Sequence, residues 1–176
     1  GVKSQGLTDL KLIQANIETW KTSLTYAFNA GGLIGTLLTI PTAKYLGRKW
    51  MFGIYFGLSS ASLILAFGSK APPEIQLWSW FYFAIGLTVS GIFGSFSYYL
   101  PELFPTRLRG TGAGFCYNAG RLITAIGPFI VGGVASQSAN PLETALKLLF
   151  LVGFIPLLGI LAMPLIIETK DRELIQ

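Results

Sequence analysis

Long apolar runs dominate the pattern of hydrophobic and polar positions along the chain. Five stretches each hold roughly 20 mostly apolar residues, about the length that a helix needs to cross a membrane. They lie at about 23–42, 50–68, 77–100, 110–135 and 145–167. The runs are continuous and do not alternate, which favours helices over the strands of a membrane barrel. The pattern predicts an all-α fold, a polytopic transmembrane helix bundle of about five spans.

Polar segments separate these runs. The linkers after the second and third runs each contain two prolines, which cannot continue a helix. Residues 1–22 are polar and partly amphipathic, and we predict an extracytoplasmic loop or surface helix there, with the bundle formed by 23–176. The chain begins at Gly1 and shows no signal-peptide pattern, so we expect it to be a fragment of a longer protein.

Composition excludes several functional classes. Only 12% of residues are charged, against about 25% in soluble domains, which is too little charge to cover a water-facing surface. Histidine is absent and Cys116 is the single cysteine, which excludes His-based metal sites, a His general base and an internal disulfide. No nucleophile–base pair or phosphate-binding loop is present. We therefore predict no enzyme, no metal site and no cofactor.

Basic residues are concentrated at one end of the spans. That end carries Lys44, Arg48, Lys49, Arg107, Arg109, Lys170 and Arg172. The opposite short loops carry Lys70 and Lys147, and the N-terminal segment weakens the bias with Lys3, Lys11 and Lys21. The positive-inside rule places the first set, and the C-terminus, in the cytoplasm of a multi-pass plasma (inner) membrane protein. Basic pairs at helix ends do not form the stripe of a nucleic-acid-binding surface.

Arg121 is the one charge near the middle of a predicted span. It lies roughly 17 Å from the cytoplasmic end of the fourth run at 1.5 Å per residue. A charge at that depth costs at least about 2.5 kcal/mol, so we expect it to face the bundle interior or a watery cavity. Asn118 shares its helical face. Together they offer a cation and an amide to an anionic or hydroxylated ligand; the alternative is a structural arginine that caps carbonyls of a broken neighbouring helix.

Pro128 interrupts the same span and is a candidate hinge. Proline removes a backbone donor and kinks a helix, so this position is equally consistent with a hinge or a fixed bend. No Asp or Glu falls inside a predicted span. A proton-coupled carrier usually needs an intramembrane carboxylate, which would then lie outside this chain.

The cytoplasmic junction between the third and fourth spans combines opposite charges. Glu102 precedes Arg109 by seven positions across a proline turn, a spacing that could form a charge-assisted pair. Arg48 and Lys49 form a second cationic cluster at the same end. The alternative is a set of solvated charges that only fixes topology.

Several motifs resemble the major facilitator superfamily, in particular its metabolite:proton symporters and the neighbouring sugar porters. The segment from Pro101 to Arg121 carries most of the likeness, and the Glu102-to-Arg109 spacing resembles the Glu-x6-Arg element between the tenth and eleventh helices. The ending from Pro164 to Lys170 is similar to the Pro-Glu-Thr-Lys ending of sugar porters, with two extra residues. Gly47-Arg48-Lys49 resembles the end of the loop motif Gly-x-x-x-Asp-Arg-x-Gly-Arg-Arg, although Ile40 and Lys44 replace its first glycine and its aspartate.

This resemblance implies helices eight to twelve of a twelve-helix carrier, within the C-terminal six-helix half. It implies a secondary active transporter with alternating access, with proton-coupled symport of a small organic anion as the leading hypothesis. The alternatives are a sugar porter and, in another class, a non-transporting membrane scaffold or sensor. The implied partners are the bilayer, a small-molecule substrate, a proton and an N-terminal half. Candidate substrate-binding residues are Arg121, Asn118, Asn29 and Tyr26; candidate gating residues are Arg48, Lys49, Glu102, Arg107, Arg109 and Glu168.

Overall fold

The computed structural model describes residues 2–68 and 75–169, which are helical with no strand in that part of the chain. The first half contains α1 (Val2–Leu46), α2 (Arg48–Gly68), α3 (Ile75–Ile85), a π-helical segment (Gly86–Ser90) and α4 (Gly91–Glu102). The second half contains α5 (Arg109–Thr124), α6 (Ile126–Ser136), α7 (Pro141–Val152), α8 (Ile155–Leu161) and a 3₁₀ turn (Met163–Leu165). Joined across their short breaks, these elements give five helices long and apolar enough to cross a membrane. The predicted all-α bundle of about five spans is confirmed.

Helix α1 differs from the expectation for the start of the chain. A loop or a surface helix was predicted over 1–22; the chain is helical from Val2 and continues without a break into the first span. No proline precedes Pro41, and Lys21 lies 2.8 Å from Glu18 on the neighbouring turn. Ion pairs at this spacing support a helix, so the loop is corrected to a helical extension. Its extracytoplasmic location stays a prediction.

Prolines divide the last two spans. Helix α5 ends at Thr124 and α6 begins at Ile126, with a turn at Ala125 between them. Pro128 lacks the N–H that would bond to the Thr124 carbonyl. The helix is interrupted directly after Thr124, where this hydrogen bond is missing. In the same way Pro156 follows the break between α7 and α8. The structure therefore has a helix break shortly before Pro128, while the use of this position as a hinge stays a prediction.

Glycines let α1 cross the third span at backbone contact. A Cβ on Gly31 would lie 2.0 Å from the Phe83 carbonyl oxygen, and one on Gly35 would lie 1.9 Å from the Leu87 carbonyl oxygen. Neither position can accept a side chain without separating the helices. Small residues at such crossings allow close helix packing in lipid.

A buried aromatic cluster lies between α2 and α4. Phe52 is buried there, with ring centroids 5.1 Å from Tyr99 and 5.7 Å from Phe96. By contrast, α5 has no buried residue and α6 buries only Ala135. Helix α5 packs against α4 and α6, and α6 packs against α7. One face of the α5–α6 span is therefore uncovered within the described chain.

Candidate functional site

A bidentate ion pair between Arg48 and Glu102 joins the beginning of α2 to the end of α4. Arg48 Nη2 lies 2.7 Å from Glu102 Oε1, and Arg48 Nε donates to Glu102 Oε2 at 3.2 Å. Both side chains are only 19% exposed. Parallel bonds from one guanidinium to one carboxylate fix orientation as well as adding energy. The pair therefore links two helix ends that are separated by 54 positions in sequence.

The rest of the Arg48 guanidinium is also engaged. Nη1 donates to the Ala43 carbonyl at 3.0 Å, and the guanidinium carbon lies 5.8 Å from the centroid of the Tyr98 ring. A cavity of about 450 Å³ opens beside the pair, lined by Ile40, Ala43, Lys44, Arg48, Tyr98 and Glu102. Every guanidinium nitrogen of Arg48 has a protein partner. Arg48 therefore connects α2 to α4 in a fixed position and does not offer its guanidinium to a ligand.

Glu168 caps the first turn of α2 from the far end of the chain. Its carboxylate accepts the backbone N–H groups of Arg48 at 2.9 Å and Lys49 at 3.0 Å. An anion at a helix N-terminus satisfies unpaired donors and complements the helix dipole. Gly47 has φ 89°, and a Cβ there would lie 2.7 Å from Glu168 Oε2. The site therefore requires glycine at this position for both its backbone conformation and its lack of a side chain.

The segment around Glu168 makes two further bonds to the end of α4. The Tyr99 hydroxyl donates to the Ile167 carbonyl at 3.1 Å, and the Thr169 hydroxyl donates to Glu102 Oε2. Thr169 is buried. Glu102 consequently receives bonds from both α2 and the segment that follows α8, so three parts of the chain meet at one carboxylate.

The remaining predicted gating residues are less closely engaged. Lys49 joins the cluster through its backbone N–H alone among the contacts that the structure gives it. Arg107 is exposed and takes part in no ion pair of the described chain. Arg109 Nε and Nη2 are buried and have no hydrogen-bond partner among residues 2–68 and 75–169. The expected Glu102–Arg109 pair is not formed here, because both Glu102 oxygens accept hydrogen bonds from Arg48, and one of them also accepts from Thr169.

Arg121 and Asn118 lie on α5, as predicted, but on an exposed face. Arg121 is about 18 Å along the helix from Arg109. Its guanidinium carbon lies 5.8 Å from the centroid of the Tyr117 ring, and it has no ion-pair partner in the described part of the chain. Asn118 Nδ2 donates to the Gly114 carbonyl at 2.8 Å. The predicted interior position is therefore not present within the described chain.

Tyr26 and Asn29 are exposed on α1. Tyr26 is 72% exposed, and Asn29 Nδ2 donates to the Thr25 carbonyl of its own helix at 2.9 Å. Between the described residues, no hydrogen bond or ring contact joins either side chain to Arg121 or Asn118. The structure does not bring the four predicted substrate-binding residues together.

A second cavity, which the sequence analysis did not identify, lies between α1, α4 and α5. We call this space of about 470 Å³ the aromatic cleft; it is lined by Thr36, Ser90, Phe93, Gly94, Phe96, Ser97, Leu100, Pro101, Ala113, Gly114 and Tyr117. Tyr117 links it to Arg121 through the ring contact described above. The stripe Ser90, Gly94, Ser97 and Pro101 at helical spacing was a signal available in the sequence.

These features define a class of protein: a polytopic helical membrane protein with a bonded charge cluster at one end of its spans and a cleft beside it. The Major Facilitator Superfamily model matches residues 13–174, and the chain belongs to that family. The predicted family is confirmed, and so is the expectation that the chain belongs to a transporter family and not to a family of enzymes.

Three similar proteins come from bacteria. A Haemophilus influenzae protein provisionally named for metabolite transport is 29% identical over 82% of this chain and 34% of its own length. The cis,cis-muconate transport protein of Acinetobacter baylyi is 32% identical over 73% of this chain and 31% of its own length. A Bacillus subtilis protein provisionally named as a niacin/nicotinamide transporter is 30% identical over 81% of this chain and 36% of its own length.

The chain spans about a third of the length of these relatives. No solved structure gives a significant match to it.

Proposed function

We propose that this chain acts as the C-terminal part of a secondary active transporter that moves a small organic anion together with protons by alternating access. Arg121 is the observation that carries the proposal. It is a cation near the middle of the Arg109–Ser136 span, and no carboxylate of the described chain pairs with it. Intramembrane charges are costly and are generally retained for function. A substrate carboxylate would complement this guanidinium.

The names of two relatives support an acidic substrate. Muconate is a carboxylate, and the name of the other relative includes niacin, an aromatic carboxylic acid, together with its neutral amide, nicotinamide. Asn118 on α5, with Tyr26 and Asn29 on α1, would complete the substrate contacts when the two halves of the carrier enclose the substrate. The proton-accepting carboxylate would lie outside this chain, because the inner parts of its spans hold no Asp or Glu.

We assign the Arg48–Glu102 cluster to a cytoplasmic gate in a plasma (inner) membrane protein whose C-terminus is cytoplasmic. In the closed state Arg48 binds Glu102, and Glu168 and Lys49 fix the start of α2. Opening would break the two bonds between Arg48 and Glu102 and separate α4 from α2. Arg107 and Arg109 would then be the cations near the released Glu102 carboxylate. Arg109, whose buried nitrogens are unpartnered among the described residues, would then receive the Glu102 carboxylate. The helix break before Pro128 would accommodate the movement of α5.

A sugar porter is the second candidate, and one observation favours it. The ending that resembles that of sugar porters does contact the gate, through Glu168 and Thr169. The chemistry near Arg121 favours an acid, so the choice depends on which substrate needs this arginine.

Uptake by the full gene product that contains this chain tests the proposal. Proteoliposomes under an inward proton gradient would receive labelled lactate, an aromatic acid, a sialic acid or a hexose. We expect uptake of an acid that collapses with a protonophore and falls at least tenfold in Arg121→Ala. Lys147→Ala is the matched control, since Lys147 is an exposed cation paired with Glu143. Hexose uptake that is unaffected by Arg121→Ala would make the protein a sugar porter with a structural arginine.

A further inference from the structure

We propose that Ser60 is a positioning residue for the gate: it fixes the register of the last span along α2, and so holds Glu168 and Thr169 at the charged cluster. This inference rests on the proposed function, because it adds a residue to the cytoplasmic gate formed by Arg48 and Glu102. Ser60 is a buried residue of α2 and lies outside the charged cluster itself.

The break between α7 and α8 deprives backbone carbonyls of the last span of their helical partners. Pro156 has no N–H to donate to the Val152 carbonyl. The Leu157 N–H, which would bond to the Gly153 carbonyl in a continuous helix, donates instead to the Phe154 carbonyl at 3.1 Å. A freed carbonyl in an apolar interior needs another donor. The Gly153 carbonyl therefore requires a partner from elsewhere in the chain.

Ser60 supplies that partner from α2. Its hydroxyl donates to the Gly153 carbonyl at 2.6 Å, across 93 positions of sequence. The two helices meet closely at this point, since a Cβ on Gly153 would lie 3.0 Å from Ile64 Cγ1 and 3.2 Å from the Ile64 backbone nitrogen. Serine and threonine side chains satisfy backbone groups that are freed where a membrane helix is interrupted. The bond therefore fixes one point of the last span against α2.

From that point the last span runs back along α2 in the opposite direction. A Cβ added at Gly159 would lie 2.8 Å from the Phe56 ring, and one added at Gly53 would lie 2.5 Å from the Met163 sulfur. The next contact in this series is Glu168 at the first turn of α2. Each contact lies further along the last span and nearer to the start of α2. The position of Glu168 therefore depends on the register that is set at the break.

A small change of that register would remove Glu168 from the gate. One residue of a helix corresponds to about 1.5 Å along its axis. The Glu168 carboxylate accepts its two N–H bonds at 2.9 and 3.0 Å, and such a bond is lost beyond about 3.5 Å. A slip by one residue would break the α2 cap, together with the bond from Thr169 to Glu102. Removal of the Ser60 hydroxyl leaves the Gly153 carbonyl without a donor and so favours such a slip.

Cysteine labelling tests whether Ser60 controls the gate. Lys44→Cys, which lines the cavity beside the gate, would be labelled with a maleimide in the purified full gene product, in a background without other cysteines. We expect Ser60→Ala to label several-fold faster than this parent, because loss of the α2 cap destabilises the closed state.

Ser62→Ala is the matched control for Ser60→Ala. It also removes a buried serine hydroxyl from α2, but that hydroxyl donates to the Ser59 carbonyl of the same helix. Its labelling rate should equal that of the parent. Unfolding midpoints measured on the same preparations show whether each variant is folded.

A double-mutant cycle separates positioning from a general loss of stability. Glu168→Ala should accelerate labelling by itself, because it removes the cap directly. Ser60→Ala should then add nothing in the Glu168→Ala background, since both changes act through one cap. A hydroxyl that only stabilised the fold would accelerate labelling by the same factor in both backgrounds.

The outcomes distinguish a failure of this inference from a failure of the gate. An unchanged rate in Ser60→Ala with a raised rate in Glu168→Ala, or effects of the two changes that multiply, would overturn the role of Ser60 and leave the gate intact. If neither Glu168→Ala nor Glu102→Gln changed the rate, the cytoplasmic gate would be refuted, and the role of Ser60 with it.

Discussion

Arg48 and Arg121 carry the same guanidinium group in opposite surroundings. Arg48 is largely buried, with bonds to Glu102 and the Ala43 carbonyl and a ring contact with Tyr98. Arg121 lies on an exposed helix face, where its guanidinium contacts the Tyr117 ring and forms no ion pair within the described part of the chain. Each guanidinium nitrogen of the first arginine has a protein partner, whereas the guanidinium of the second has no ion-pair partner among the described residues. The difference separates a residue that holds two helix ends together from one that is a candidate for the proposed substrate contact.

This contrast follows from how each region packs. The α2–α4 region has a continuous aromatic core around Phe52, and its charged cluster closes the end of that core. The α5–α6 span has almost no buried side chain. Mutations in the first region should therefore change stability and gating together, whereas mutations in the second should change ligand binding with little effect on stability.

Arg48→Ala should have the largest effect on stability. It would leave the largely buried Glu102 carboxylate without its cation, and breaking one partner of a buried pair costs about 3 kcal/mol. Unfolding of the purified full gene product in detergent, measured by tryptophan fluorescence, would check this. Lys147→Ala is the control, because its ion pair with Glu143 is equally short at 2.6 Å but exposed. Equal unfolding midpoints for the two variants would contradict the role assigned to the buried pair.

The Arg48–Glu102 pair also shows where inference from the sequence ends. The apolar runs predict the five spans, because span length is a local property of the sequence. The sequence also predicts an ion-pair network of Arg48, Glu102 and Arg109, and its spacing suggests Arg109, seven positions away, as the direct partner of Glu102. The observed partner, Arg48, depends on how α2 packs against α4, and no local pattern encodes that contact.

The same limit applies to the α5 region. The depth of Arg121 can be calculated from helix rise alone, but its exposure depends on which helices cover α5. Residues from three different spans form the aromatic cleft, so that cavity becomes visible only when the spans are assembled. The polar composition before residue 23 left a loop and a surface helix as alternatives, and it gave no sign that the helix continues unbroken into the first span, although nothing before Pro41 interrupts it.

Glu102→Gln should have the second largest effect. The amide keeps the size of the side chain but removes its charge, which weakens the fork to Arg48 by about 2 kcal/mol. If the fork closes the cytoplasmic side, the carrier should shift towards its inward-facing state. Maleimide labelling of Lys44→Cys, beside the Arg48–Glu102 cavity, in a background without other cysteines should then become several-fold faster. An unchanged labelling rate would count against the gate.

Gly47→Ala should have a smaller effect, of about 1 kcal/mol, through the α2 cap. Its φ of 89° is unfavourable for alanine, and the added Cβ would meet the Glu168 carboxylate. The Glu168 bonds to the first turn of α2 should lengthen, which loosens the position of Arg48. The unfolding midpoint should fall by less than in Arg48→Ala. Gly57→Ala is a suitable control, since its Cβ would meet the nearest atom at an ordinary 3.8 Å.

Arg121→Gln should have the smallest effect on stability, within about 0.5 kcal/mol of the wild type, because no described group loses an ion-pair partner. If the proposed organic-anion function holds, the same variant should lose at least tenfold in binding of the acid, since a neutral amide replaces the cation. The unfolding midpoint and the binding affinity of Arg121→Gln would be measured on one preparation and compared with those of Arg48→Ala. Arg48→Ala should have the lower unfolding midpoint. If Arg121→Gln proved as destabilising as Arg48→Ala, the arginine on α5 would also hold the fold, and its role as the open cation would be lost.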